Sequence, residues 1–333
     1  MYGNTPYLAY KSARSPNPKR TFALHPQGWI PPSASSLHHA VVDELESLMA
    51  GQGVATSAQL LELLSRRTLQ VLLRTGLLVK VWPGVYCLGE PDLQTRLRGL
   101  DLRAGEPVAM CLSTAAVAFG FDFEGDPTVH VLNPLGHHLR NSRGLVVHRR
   151  EGAPLTTLDG RPTTTAAWTA VELARAQKRP RALAYLDAAL RSGTVTVFDL
   201  IHAAEAQHGR RGIVNVRELI PLARPEAESP MESEARLAMH DGGLPEPELQ
   251  YEVVDAQGRV WRLDFAWPDA RVGVEYDGFD WHSTPEQLRK DREKRAALLD
   301  LGWVVLSITA DDVRRTPWEM NSRIEELLMR RAA

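Results

Sequence analysis

The chain has 333 residues, with 39 basic and 41 acidic side chains and a formal charge of −2 at pH 7. Apolar residues at 44% and charged residues at 24% exclude wholesale disorder, and no apolar run approaches the roughly 20 residues of a membrane span. The near-zero charge argues against a nucleic-acid binder only while the chain is taken as one object: residues 1–225 carry 25 basic and 18 acidic side chains (+7), and residues 226–333 carry 14 and 23 (−9).

A length of 333 residues predicts two domains or one large one. Cys87 and Cys111 lie among apolar neighbours with no partner at metal-ligand spacing, so neither a zinc site nor a disulfide framework is expected. With no signal-peptide apolar core, the expected location is the cytoplasm, with no membrane partner. Residues 1–38, rich in Pro, Ser, Asn and Gly, read as a mobile leader. Ordered structure is expected near Val41, where Val42, Leu45, Leu48 and Met49 recur at helical spacing.

Residues 41–90 predict a winged helix-turn-helix. Thr56 or Ser57 caps a short helix that turns Leu60, Leu61 and Leu64 inward. Ser65 starts a second helix with Leu69, Leu72 and Leu73 on one face, and Gly76 stops it. Leu77–Trp82 and Val85–Leu88 read as strands joined by the turn pair Pro83-Gly84. The outer face of the second helix carries Arg66, Arg67, Gln70 and Arg74, long donors that reach phosphates and guanine edges from the major groove of double-stranded DNA. Lys80 and Trp82 fall where a wing would meet the DNA backbone. The alternative is a charged helix face that only solvates a small domain.

This block resembles the N-terminal domain of AbiEi-type antitoxins of type IV toxin–antitoxin systems, on Thr56, Gln59-Leu60, Gly76-Leu77-Leu78 and Pro83-Gly84-Val85-Tyr86, continuing into residues 112–121. The resemblance implies a DNA-binding autorepressor with a cognate toxin as partner. Residues 91–225 read as a mixed α/β middle region, with strands at Val129–Leu132 and Leu145–His148 and helices at Ala166–Ala176, Arg181–Arg191 and Val197–Ala206. Pro221–Pro230 is the expected linker.

The densest chemistry lies in residues 261–282. Leu263, Phe265 and Trp267 alternate with Asp264 and Ala266, and Val272, Val274 and Tyr276 with Gly273, Glu275 and Asp277. A hairpin about Pro268–Arg271 pairs 267 with 272, 266 with 273 and 265 with 274. It sets Asp264 opposite Glu275 and Arg262 opposite Asp277, with facing Cβ atoms about 5 Å apart. Paired carboxylates on one sheet face need a cation, a proton or a metal, and oxygen-only ligands suit Mg²⁺. His282 follows close behind and is a candidate base for water at a phosphate. The plain reading is a solvated acidic face partly neutralised by Arg262.

Residues 226–333 resemble the Vsr-like branch of the PD-(D/E)XK nuclease superfamily, on Glu232, Leu263-Asp264-Phe265, Asp277-Gly278, Trp281-His282, Asp291–Arg295 and Leu298–Val304. The resemblance implies a restriction-endonuclease-like α/β/α domain with a mixed sheet. It implies that Asp264 and Glu275 hold Mg²⁺ or Mn²⁺, that His282 helps activate water, and that Glu232, or else Glu234, supports the site. The pattern's lysine is replaced by Asp277, which joins the acidic cluster, and a base or electrophile must come from His282 or Gln250. The expected fold class is thus mixed α/β in three parts after the leader. The leading expected function is a metal-dependent DNA endonuclease targeted by a winged helix. The alternatives are a non-catalytic AbiEi-like autorepressor with a degenerate nuclease domain, and an interaction scaffold.

Overall fold

The computed structural model describes residues 34–122, 127–136, 139–149, 152–278 and 285–332. It is mixed α/β, with several small sheets, and packing divides it between Val108 and Ala109 into two units.

In the first unit α1 (Ala34–Met49) begins inside the stretch expected to be leader; residues 1–33 lie outside the described residues. β1 (Ala55–Thr56) leads into α2 (Ser57–Leu63), α3 (Arg66–Arg74), β2 (Leu78–Trp82), β3 (Val85–Leu88) and α4 (Leu93–Ala104). The sheet order is β1-β3-β2. Thr56 and Gln59 form a capping box on α2, which is the physical reason for a threonine and a glutamine at that spacing. Ser65 Oγ accepts from Thr68 N at 3.1 Å and caps α3. Leu60, Leu69, Leu72 and Leu78 close the core with Leu45 of α1. Gly84, at φ 80°, makes the β2–β3 turn that Pro83-Gly84 predicts. Trp82 is the exception to the expected wing: it is 3% exposed, its indole N–H donates to Arg96 O at 2.7 Å, and it packs against Gly99 of α4. It is a core residue, and cannot touch DNA.

The second unit opens with α5 (Leu112–Ala118), a parallel pair β4 (Val129–Leu132) and β5 (Leu145–His148), and a hairpin β6 (Leu155–Leu158) and β7 (Arg161–Thr164). α6 (Ala166–Arg175), α7 (Arg179–Arg191), α8 (Val197–Ala206) and α9 (Ile213–Leu219) follow and share one leucine- and alanine-rich core with α5. α10 (Pro230–Asp241) packs against α7. Residues 221–230 are not a free linker. Ala223 and Ala227 are buried, and Arg224 N donates to the buried Asp187 carboxylate at 2.7 Å. A backbone whose polar groups bond into a core is packed structure, whatever its proline content.

The four-stranded sheet has order β11-β10-β9-β8, from β8 (Glu248–Val254), β9 (Val260–Trp267), β10 (Val272–Tyr276) and β11 (Val304–Ile308). α11 (Pro285–Asp300) is the crossover that makes β10 and β11 parallel. α12 (Ala310–Arg314) and α13 (Pro317–Ala332) end the chain. One face of the sheet (Phe265, Trp267, Val272, Val274, Ile308) is covered by Met231, Ala235 and Met239 of α10 and by Met320 and Ile324 of α13. The other (Val253, Leu263, Ala266) is covered by Leu298 of α11 and by Trp303, which precedes β11. Burying a side chain the size of Phe265 contributes about 1.5–3 kcal/mol. No helix among the described residues is long and apolar enough to cross a membrane.

Candidate functional site

Two surfaces carry chemistry, one in each unit. On α3 the apolar face is spent on Leu69 and Leu72, which leaves Arg66, Arg67, Gln70 and Arg74 exposed on the opposite face. Val71 stands among them at 42% exposure. Lys80 is exposed on β2. Among the described residues no ion pair engages these four cations, so they are open to an anionic partner.

The second surface lies where β9 and β10 part. The observed register is 267 with 272, 266 with 273 and 265 with 274. Gly273 leaves room there for the Leu263 side chain, which a Cβ would meet at 2.8 Å. The antiparallel ladder stops at Phe265–Val274. Asp264 and Glu275 are therefore not a cross-strand pair: Asp264 Oδ2 accepts from Tyr276 N at 2.8 Å, and Glu275 runs in parallel register with Ser307 of β11. Arg262 does not face Asp277 either. It lies across from Glu252 of β8, and its guanidinium pairs with Glu228 at 2.6 Å. Leu263 also leaves the face of Phe265 and Trp267 and packs with Ala266 and Trp303. The change of face coincides with Gln250, which stands between the pairs Leu249–Phe265 and Tyr251–Leu263 with φ 51°, a left-handed conformation costly outside glycine.

Three carboxylates gather at this point. Asp264 is pushed up to about 7, chiefly by burial and then by the charges of Glu232 and Glu275, with the Tyr276 N–H and Lys294 opposing. Glu232, 8% exposed in the first turn of α10, is also raised by burial. Its Oε2 accepts from Gln250 Nε2 and from Glu228 N, both at 2.8 Å. Glu234 takes no part. Two residues on, it sits about 200° round the helix and is held bidentately by Arg314 at 2.7 and 3.0 Å. Asp277 is exposed beyond the end of β10, and His282 lies outside the described residues.

A residue inside the Asp291–Arg295 match, to which the resemblance gave no role, lies beside the carboxylates. Lys294 reaches in from α11, its Nζ forming an ion pair with Glu275 and donating to Arg262 O. The two side chains are 15% and 13% exposed. The chain does carry a signal for it: Lys290 and Lys294 are the sole lysines after residue 225, on a helix that must cross back over the sheet. Among the described residues, no three of His, Cys, Asp and Glu converge at ligand distances. The donor set is the Asp264 and Glu275 pair. Its chemistry fits Mg²⁺, which binds through one or two carboxylates and keeps several waters.

Comparison with known proteins places the middle of the chain. Residues 108–222 match the AbiEi antitoxin C-terminal domain, a stretch that lies C-terminal to the block that most resembles that class in sequence. The chain is 49% identical over 267 residues to Uncharacterized protein MT2308 of Mycobacterium tuberculosis (strain CDC 1551 / Oshkosh), covering 80% of this chain and 98% of that protein. The same figures hold for Uncharacterized protein Rv2248 of Mycobacterium tuberculosis (strain ATCC 25618 / H37Rv).

Proposed function

The chain belongs to the same family as these two mycobacterial proteins and carries the antitoxin-type domain, and from that premise we propose that it is a DNA-binding regulator of a toxin–antitoxin pair. The match at residues 108–222 carries this reading. It directly follows, in sequence, a unit whose helix pair and hairpin we read as a winged helix-turn-helix. In that reading α3 enters the major groove. Arg66, Arg67, Gln70, Arg74 and Lys80 bind phosphates and base edges, and Val71 offers apolar contact to a thymine methyl. The duplex is the DNA upstream of the chain's own reading frame, the second partner is a cognate toxin, and the place of action is the cytoplasm.

The test is fluorescence anisotropy of the full chain on that upstream duplex. Replacing Arg66, Arg67 and Arg74 together by Ala is expected to weaken binding at least tenfold. It should also lower the slope of log affinity against log salt by about one for each phosphate that is no longer neutralised. Unchanged binding would move the DNA surface elsewhere.

The second unit supports a second reading, a metal-dependent phosphodiesterase. The observation that favours it is the crowding of Glu232, Asp264 and Glu275, which leaves Asp264 short of compensating charge. Asp264 and Glu275 would hold Mg²⁺ or Mn²⁺, and such an ion, when bound, would polarise a phosphoryl oxygen and acidify a water. Glu232, held by Gln250 and the Glu228 amide, fixes the negative field around Asp264. The Tyr276 N–H holds one Asp264 oxygen in place. His282 and Asp277 remain candidates for handling the proton of the attacking water.

A further inference from the structure

We infer that His130 and His148 form an acid-sensitive clasp between β4 and β5, inside the stretch that matches the antitoxin-type domain. His130 Nδ1 and His148 Nε2 are 2.9 Å apart. The ring centroids are 5.2 Å apart and the ring planes differ by 18°. The centroid separation exceeds the nitrogen separation by about one ring radius at each end, so both nitrogens lie on the line between the rings. The rings therefore meet edge to edge, close to one plane, which is the alignment an N–H···N bond requires. The backbone holds them there. The parallel register pairs His130 with Val146 and Leu132 with His148, so both half-buried rings stand on one face. His130 N donates to Thr114 Oγ1 at 2.8 Å, and His148 O accepts from Asn133 N at 2.8 Å. β4 is bonded on its other side to residues 109–111, whereas β5 has no second strand among the described residues. The clasp fastens an edge.

Proton counting makes the clasp pH-dependent. Two neutral imidazoles carry two N–H groups on four nitrogens, and one N–H fills the bridge. A first added proton can settle on an outer nitrogen and leave the bridge intact. A second must enter the bridging nitrogen that accepts, which removes the bond and sets two cations against each other. Burial pulls His148 down and outweighs the opposing pull of Glu172, which suits His148 to accept. Glu172 faces the pair from α6, its charge shared with Arg175 at 2.9 Å and Arg210 at 3.4 Å. From the α5 side come the Thr114 hydroxyl and the Cys111 thiol, which burial keeps protonated. Arg149, next to His148 and exposed, adds a positive charge that opposes the second proton. With β5 released, each ring titrates near its ordinary value of about 6.5. With the bridge closed, the pair takes at most one added proton. The clasp is therefore at full strength above that pH and weakens about tenfold for each pH unit below it.

Amide hydrogen exchange on the full chain at about pH 7.5 and 5.5, resolved by NMR and corrected for intrinsic rates, tests this. The reporters are the Val129 and Asn133 amides, which donate to Gly144 O at 2.9 Å and His148 O at 2.8 Å across the two strands. Their protection is expected to fall about tenfold on acidification, while the amides of Leu186 and Ala189, fully buried in α7, keep theirs. His130→Gln and His148→Gln each leave a neutral hydrogen-bonding side chain and are expected to abolish the pH step. Equal protection in wild type at both pH values overturns the clasp. So does a step that survives in both glutamine variants, or one that the α7 amides share. Where a variant fails to fold, the imidazole ¹⁵N shifts of wild type decide: one ring is expected to stay neutral at about pH 5.5, and two rings titrating together near 6.5 overturn the assignment.

Discussion

Replacing Arg236 by Ala is expected to destabilise the second unit by about 3–5 kcal/mol, the cost of leaving one member of a buried ion pair alone. Arg236 Nη2 donates to Asp187 Oδ2 at 2.7 Å, with side-chain exposures of 5% and 0%. Burial pushes the Asp187 carboxyl up; Arg236 and the Arg224 amide hold it down. Burial already outweighs both, and without Arg236 the carboxyl moves further up. The folded variant then keeps a proton that the unfolded chain releases near pH 4, so its deficit should grow with rising pH and shrink in acid. Urea unfolding read by tryptophan fluorescence checks this. Six of the eight tryptophans (168, 261, 267, 281, 303 and 318) lie in the second unit. The double change Asp187→Leu with Arg236→Met should regain most of the loss, because an apolar pair carries no desolvation cost. A single variant as stable as wild type would show that α7 and α10 do not depend on the pair.

Asp264→Asn should behave in the opposite way and stabilise the protein at pH 8. The folded Asp264 titrates at about 7, against about 3.9 in an unfolded chain. Between those values the folded state binds a proton that the unfolded state has lost, so wild-type stability falls as pH rises through the window and stays low above it. The shift corresponds to about 4 kcal/mol at most, and to about 2–4 kcal/mol after allowance for partial solvent screening. Asparagine keeps an acceptor for the Tyr276 N–H and carries no charge toward Glu232 and Glu275. Below about pH 4 both forms are neutral and the two proteins should unfold alike. Urea midpoints measured from pH 4 to 8 decide it: midpoints parallel across the range would contradict the crowding of charge at Asp264.

Much of the fold is legible in the sequence because its signals are local. The Thr56 cap, the Leu69 and Leu72 face, the Gly84 turn and the β9–β10 register follow from capping chemistry, helical spacing, positive φ and strand alternation, and the structure has each. The β6–β7 hairpin, absent from the expected strands, has an equally local signal in Asp159-Gly160, whose φ values of 50° and 78° make the turn. What stays hidden depends on tertiary packing. Trp82 reads as an exposed wing residue until α4 lies over it. Pro221–Pro230 reads as a linker until Asp187 captures the Arg224 amide. At the acidic site, alternation predicts a ladder pair of Asp264 and Glu275. The structure ends the ladder one residue early, because Asp264 takes a backbone N–H of its own. Lys294 lies 19 residues beyond Glu275 along the chain, and only the parallel crossover brings the two together.

The two surfaces imply different biology, and a reporter gene driven by the chain's own upstream DNA separates them. The regulator account predicts that the full chain represses the reporter, that changing Arg66, Arg67 and Arg74 together to Ala relieves repression, and that Asp264→Asn represses as wild type does. Repression that survives the arginine changes, or that disappears with Asp264→Asn in a protein of normal stability, would contradict it.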